Sequence, residues 1–135
     1  MNKREMKDSY TFEELREIIA DLRGENGCPW DREQTYESLK KCLADETEEV
    51  FEAVDKNDRE NLCEELGDVL LILLLNSQIA SEEGAFTFDD VITGLCRKMI
   101  RRHPHVFAGE KAATPEEALD RWKEIKRQEK AGLIR

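Results

Sequence analysis

The chain has 135 residues, close to the commonest size of a single domain, and carries a net charge of −10 from 21 Lys and Arg against 31 Asp and Glu. Charged and apolar residues make up 39% each, with three Pro and seven Gly, which excludes disordered and collagen-like chains. The longest apolar run, residues 69–75, is far short of the roughly 20 residues of a membrane span, and so acidic a chain suits neither nucleic acid nor a membrane surface as partner. The opening residues, 1–8, are charged and lead into no apolar stretch, so no signal peptide is expected. Cys28, Cys42, Cys63 and Cys96 include no CxxC pair, and the expectation is four reduced thiols in a cytoplasmic protein.

Residues 11–24 predict a first helix, with Phe12, Leu15, Ile18, Ile19 and Leu22 at helical spacing and a capping box of Thr11 and Glu14. Residues 25–35, with Gly27, Pro29, Trp30 and Asp31, read as a loop whose tryptophan folds back onto the core. A second helix spans residues 36–56, with Leu39, Leu43, Val50 and Val54 on one stripe. A third spans residues 58–83, capped by Asn57 with Glu60 and closed by Gly84. Its centre is apolar on every face, which calls for more cover than one small chain supplies and so for self-association. Thr87 caps a fourth helix through residue 102, with Phe88, Val91, Ile92, Leu95 and Met99 inward, and His103-Pro104-His105 stops it. Thr114-Pro115-Glu116-Glu117 starts a fifth. The expected fold is all-α: one domain over residues 1–135, a bundle of about five helices whose core is completed by dimerisation.

A wheel of about 100° per residue locates the unusual residues. With Leu39 at zero, Glu46 falls at about −20°, inside the apolar stripe, and Glu49 at about −80°, on its edge. Asp45, Glu48 and Glu52 point away. On the third helix, with Leu62 at zero, Glu65 lies at about −60° and Asp68 at about −120°, flanking the stripe of Leu62, Leu66, Val69 and Leu73. The short link at residues 56–59 favours antiparallel packing, which brings the two acid pairs together. Four carboxylates in a poorly solvated niche repel one another unless a cation sits among them. All-oxygen ligation suits Mg²⁺ or Mn²⁺, and the Glu-x-x-His pattern of di-iron bundles is missing. Arg97, Lys98, Arg101 and Arg102 crowd the end of the fourth helix, where Lys98 and Arg102 lie one turn apart. Metal with Lys and Arg is equipment for phosphoryl transfer to water.

Read with their neighbours, these residues resemble the MazG family of nucleoside triphosphate pyrophosphohydrolases. The carriers are Gly27-Cys28-Pro29-Trp30-Asp31, Glu33-Gln34-Thr35, Glu46-Thr47-Glu48-Glu49, Glu65-Leu66-Gly67-Asp68, Arg101-Arg102-His103-Pro104-His105-Val106-Phe107, and Trp122 with residues 126–130. The resemblance covers about residues 12–130. It implies an all-α dimer, Mg²⁺ on Glu46, Glu49, Glu65 and Asp68, and substrate contacts at Lys98, Arg101, Arg102 and Trp122. The implied reaction is hydrolysis of a nucleoside triphosphate to monophosphate and pyrophosphate by metal-activated water, with housecleaning of non-standard nucleotides as the associated role. Where the family often has a further Glu ahead of this motif, the chain has Asp45, which projects toward solvent. Two alternatives stay open: a sister all-α enzyme acting on dUTP or phosphoribosyl-ATP, and a catalytically silent helical interaction module.

Overall fold

A computed structural model describes residues 3–134, so residues 1, 2 and 135 of the expected domain lie outside the described residues. Among the described residues every regular element is a helix: α1 (Phe12–Leu22), α2 (Pro29–Glu33), α3 (Tyr36–Asp55), α4 (Arg59–Glu82), α5 (Phe88–Arg102), α6 (Pro104–Phe107) and α7 (Pro115–Lys130). The all-α expectation holds. The two helices beyond the expected five are α2 and α6, both short and both opened by proline at the first turn, where its missing N–H costs nothing. The chain divides into two compact units, Met1–Phe88 and Asp89–Arg135.

In the first unit, α1 opens on the expected capping box of Thr11 and Glu14. The N-terminal segment is tied to this helix by Arg4 to Asp21 and Lys7 to Glu14. After α1 the chain turns so tightly that a Cβ on Gly27 would lie 2.2 Å from the Leu22 carbonyl oxygen, which only glycine permits. The segment read as a loop then forms α2, fixed by one guanidinium. Arg23 donates to the carbonyls of Asp31 and Gln34 at 2.6 and 3.2 Å and to both carboxylate oxygens of Glu82 at 2.9 Å. Trp30 does not fold back onto the core: it is 54% exposed.

Helix α3 runs into α4 through Lys56, Asn57 and Asp58. Asn57 adopts φ +53°, and the N–H groups of Asn57 and Asp58 return to Val54 and Ala53. This is a Schellman turn, in which asparagine tolerates the left-handed backbone. The cap of α4 is therefore Asp58, which accepts from the Asn61 N–H, and not Asn57 as expected. The turn folds α4 back along α3, with which it packs extensively.

The core joins α1, α3 and α4 through Ile19, Leu39, Ile72, Leu74, Leu75 and Ile79. Leu39 and Leu75 are fully enclosed; each such side chain contributes about 1.5–3 kcal/mol by leaving water. Two expected stripes are corrected here. On α3, Val54 is exposed and Ala53 takes the buried place, a small residue where the hairpin is tightest. On α4, Leu66 and Leu73 are 52% and 45% exposed, so the supposed inward stripe lies partly open, and the buried line runs through Glu65, Ile72, Leu75 and Ile79.

In the second unit, α5 carries no buried residue. Val91, Ile92 and Leu95, expected inward, are exposed, while Phe88 and Met99 are half-buried. His103 ends α5 as expected, and α6 follows at once. Thr114 caps α7 by accepting from the Glu117 N–H, while the Glu117 carboxylate accepts from Ala113, one position before the cap. Ile125 on α7 is buried. All four cysteines are free thiols. No helix among the described residues is long and apolar enough to cross a membrane.

Candidate active site

Glu46 and Asp68 stand equally far along the chain from Asn57, so the hairpin places them opposite each other on α3 and α4. Glu65, one turn before Asp68, completes a cluster: each of the three acids offers a carboxylate oxygen, all within 4.8 Å of one another. Glu65 is only 7% exposed, although it occupies a core position of a helix otherwise lined there by leucine and isoleucine. Glu46 and Asp68 are half-buried, and Glu49 is exposed and outside the three-way cluster.

The electrostatics match this crowding. Burial, then the charges of Glu49, Asp68 and Glu46, push the Glu65 carboxyl up to about 7. Burial and the Asp68 charge raise Glu46 as well, but a hydrogen bond from Glu65 partly opposes that rise. Among the described residues no Lys or Arg pairs with Glu46, Glu49, Glu65 or Asp68, whereas the neighbouring Asp45 pairs with Lys41 at 2.8 Å on the outer face of α3. Clustered carboxylates without a cationic partner, one of them pushed toward its neutral form, are an arrangement that a hard divalent cation fits.

The cations expected at the substrate lie in the second unit. Lys98 is exposed, and Arg101 and Arg102 are half-buried. Arg102 donates to Glu129 at 2.8 Å, Arg101 donates to the same carboxylate at 2.5 Å, and the Arg102 guanidinium lies 5.1 Å from the Trp122 ring centre. The His103 ring meets Trp122 edge-on at 5.2 Å, and its Nδ1 donates to the Met99 carbonyl at 2.6 Å. Three of the four residues expected at the substrate are therefore neighbours. Glu129 and His103 lie in the motifs that carry the resemblance but were given no role there, although Trp122 and Glu129, two helical turns apart, share a face of α7.

The sequence profile of the MazG nucleotide pyrophosphohydrolase domain matches residues 34–107, more than half of the chain. That stretch holds all four acids and the basic end of α5. Uncharacterized protein YabN of Bacillus subtilis is 50% identical over 121 residues, covering 90% of this chain and 25% of that protein. Nucleoside triphosphate pyrophosphohydrolase/pyrophosphatase MazG of Thermotoga maritima is 50% identical over 119 residues, covering 88% and 45%. The chain thus spans less than half of either relative. A crystal structure of a mazG-related protein from Thermotoga maritima matches with a TM-score of 0.71 at 41% identity, over 85% of this chain and 98% of that one. The acid-bearing helical hairpin and the basic end of α5 both fall within the matched profile, and this chain belongs to the MazG nucleotide pyrophosphohydrolase domain family.

Proposed function

We propose that this chain hydrolyses nucleoside triphosphates to nucleoside monophosphate and pyrophosphate, using Mg²⁺ or Mn²⁺ held by Glu46, Glu49, Glu65 and Asp68. The observation that carries the proposal is the cluster of Glu46, Glu65 and Asp68, whose carboxylate oxygens converge within 4.8 Å, with none of the three paired to a Lys or Arg among the described residues. The name of the Thermotoga maritima relative supports the reaction class. Oxygen-only donors favour a hard cation. Such an ion supplies Lewis-acid stabilisation of phosphate charge and lowers the pKa of water.

The chain's own groups do the remaining work. Glu49, the most exposed of the four acids, is assigned as the fourth carboxylate of the set. Lys98, Arg101 and Arg102 bind the triphosphate and neutralise charge that builds on the leaving pyrophosphate. Trp122 packs against the nucleotide. The sequence contains no GxxxxGK[ST], so phosphate binding falls to these side chains and not to a P-loop. We assign the working form to a homodimer or higher homo-oligomer in the cytoplasm, and the role to clearing non-standard nucleotides.

The test is pyrophosphate release from a panel of ordinary and modified nucleoside triphosphates, dUTP included, with Mg²⁺, with Mn²⁺ and with EDTA. Metal-dependent release of pyrophosphate is expected. Absence of hydrolysis across the panel, in a folded protein with metal present, would overturn the proposal in favour of a silent helical module.

A further inference from the structure

Arg101 and Arg102 are adjacent like charges at the last turn of α5, and their head groups repel one another. Both nevertheless end on a single carboxylate. Glu129 accepts from Arg102 through both of its oxygens, at 2.8 and 3.3 Å, and from Arg101 at 2.5 Å. The three side chains are largely covered, with exposures of 11% for Arg102, 14% for Glu129 and 26% for Arg101. Hydrogen bonds from Arg102 first and Arg101 second hold the Glu129 carboxyl down at about 2, so it is anionic throughout the neutral range. The same guanidinium of Arg102 lies against the Trp122 ring. One edge of Arg102 is thereby fixed by a carboxylate and one face by an aromatic ring, both from α7.

We propose that Glu129 is a positioning residue for nucleotide binding: it sets Arg101 and Arg102, beside the Trp122 ring, in the arrangement that receives the anionic groups of the substrate. The proposal rests on the assignment of Arg101, Arg102 and Trp122 to the substrate made above. A contrary role, in which Glu129 is a placeholder that phosphate displaces, requires stripping a covered carboxylate of both its partners, which is costly. Positioning requires no such step. A lost or shortened carboxylate lets the two arginines move apart, and binding of the triphosphate weakens.

Trp30→Phe leaves Trp122 as the sole tryptophan, so its fluorescence can be titrated with an α,β-methylene nucleoside triphosphate in the presence of Mg²⁺. In that background Glu129→Gln is expected to raise the Kd about tenfold, the loss of a charge-assisted contact. Glu129→Asp, which keeps the charge and shortens the reach, falls between the two. In turnover assays KM rises and kcat falls together, since the same arginines bind the triphosphate and stabilise the leaving pyrophosphate. If Glu129→Gln loses helical circular dichroism, Glu129→Asp decides in the same way. A purely structural ion pair predicts a lower Tm with an unchanged Kd; that result overturns the positioning role and leaves the proposed function standing. A Trp30→Phe chain whose Trp122 fluorescence does not respond to nucleotide overturns the substrate assignment, and the positioning role with it.

Discussion

Glu65 on α4 and Glu46 on α3 bring carboxylate oxygens within 4.8 Å of each other at the seam of the helical hairpin. Two carboxylates so close repel one another when both are charged and no cation lies between them. Glu65 is the more deeply buried of the pair, and burial with the neighbouring charges raises its carboxyl from 4.5 to about 7. An apolar residue at either position would pack without this conflict. Two acids at that seam therefore lower the stability of the chain unless a cation joins them.

The first prediction concerns pH and metal. A carboxyl with a raised pKa binds its proton more tightly in the folded chain, so its contribution to stability is fully present below about 4.5 and is lost as pH rises through about 7. Without metal, Tm should therefore fall between pH 5 and pH 8. Mg²⁺ should restore it, and by more at pH 8 than at pH 5, because the cation competes with the proton; at a hundred times its Kd, an ion that binds only the folded state adds about 2.7 kcal/mol. Differential scanning fluorimetry with EDTA, then with Mg²⁺, across that range measures both effects. An Mg²⁺ response no larger at pH 8 than at pH 5 would contradict the assignment of Glu65 to the site.

Much of this site was legible in the sequence because burial and helical period act locally. Glu46 falls inside a stripe of leucine and valine on any helical wheel, and the short link at Asn57 folds one acid pair toward the other. The reference line on α4 was less secure: Leu62, Leu66, Val69 and Leu73 form as good a stripe as the true buried line, since that helix is apolar on several faces and periodicity cannot rank them. Glu65 thus proved more buried than its wheel position implied. Helix α2 escaped notice because five residues carry too little periodicity, and its stability comes from Arg23, a contact made across tertiary space. Glu129 escaped because the meaning of its charge depends on arginines 27 and 28 residues away.

The second prediction separates inward from outward acids. Glu49→Gln or Asp68→Asn should lower kcat/KM by at least about a hundredfold with helical content unchanged. Asp45→Asn, which removes only an exposed pair with Lys41, should stay within about a factor of three of the parent. In the absence of metal, Asp68→Asn should match or exceed the parent in Tm, because one source of repulsion on Glu65 is gone. Equal loss of activity in Asp45→Asn would mean that the division of α3 into two faces is wrong.

The third prediction concerns self-association. Leu66 and Leu73 lie about two turns apart on α4 and are roughly half exposed, an apolar stripe that a second copy would cover. Light scattering at micromolar concentration should give at least a dimer. Leu73→Glu, which places a charge in that seam, should shift the mass toward the monomer while circular dichroism stays helical. A parent chain that is a stable monomer under these conditions would remove the basis for the assignment.

The fourth prediction tests the guanidinium under α2. The side chain of Arg23 is 9% exposed and serves the Asp31 and Gln34 carbonyls together with Glu82. Arg23→Met should cost about 1–3 kcal/mol, since it leaves those acceptors without their donor in a half-covered setting. Urea unfolding measures the loss. Trp30, carried on α2, should report a change in its surroundings by fluorescence in the folded variant, and an unchanged spectrum would show that α2 holds its place without Arg23.

The last prediction concerns which phosphorus water attacks. Two outcomes are chemically distinct: attack at the α-phosphorus gives monophosphate and pyrophosphate in one step, whereas attack at the γ-phosphorus gives diphosphate and orthophosphate. Enzymes that transfer the terminal phosphoryl group commonly hold the β- and γ-phosphates in a glycine-rich loop, and GxxxxGK[ST] does not occur in this sequence. In the proposed function the phosphate ligands are instead cationic side chains, Lys98, Arg101 and Arg102, suited to stabilising a leaving group that departs with several negative charges. Pyrophosphate is such a group. Hydrolysis in ¹⁸O-labelled water should therefore place one label in the nucleoside monophosphate and none in the pyrophosphate, as read by mass spectrometry of both products. If label appears in orthophosphate while nucleoside diphosphate accumulates, water attacks the terminal phosphorus, and the cations at the end of α5 serve binding and not the departure of pyrophosphate.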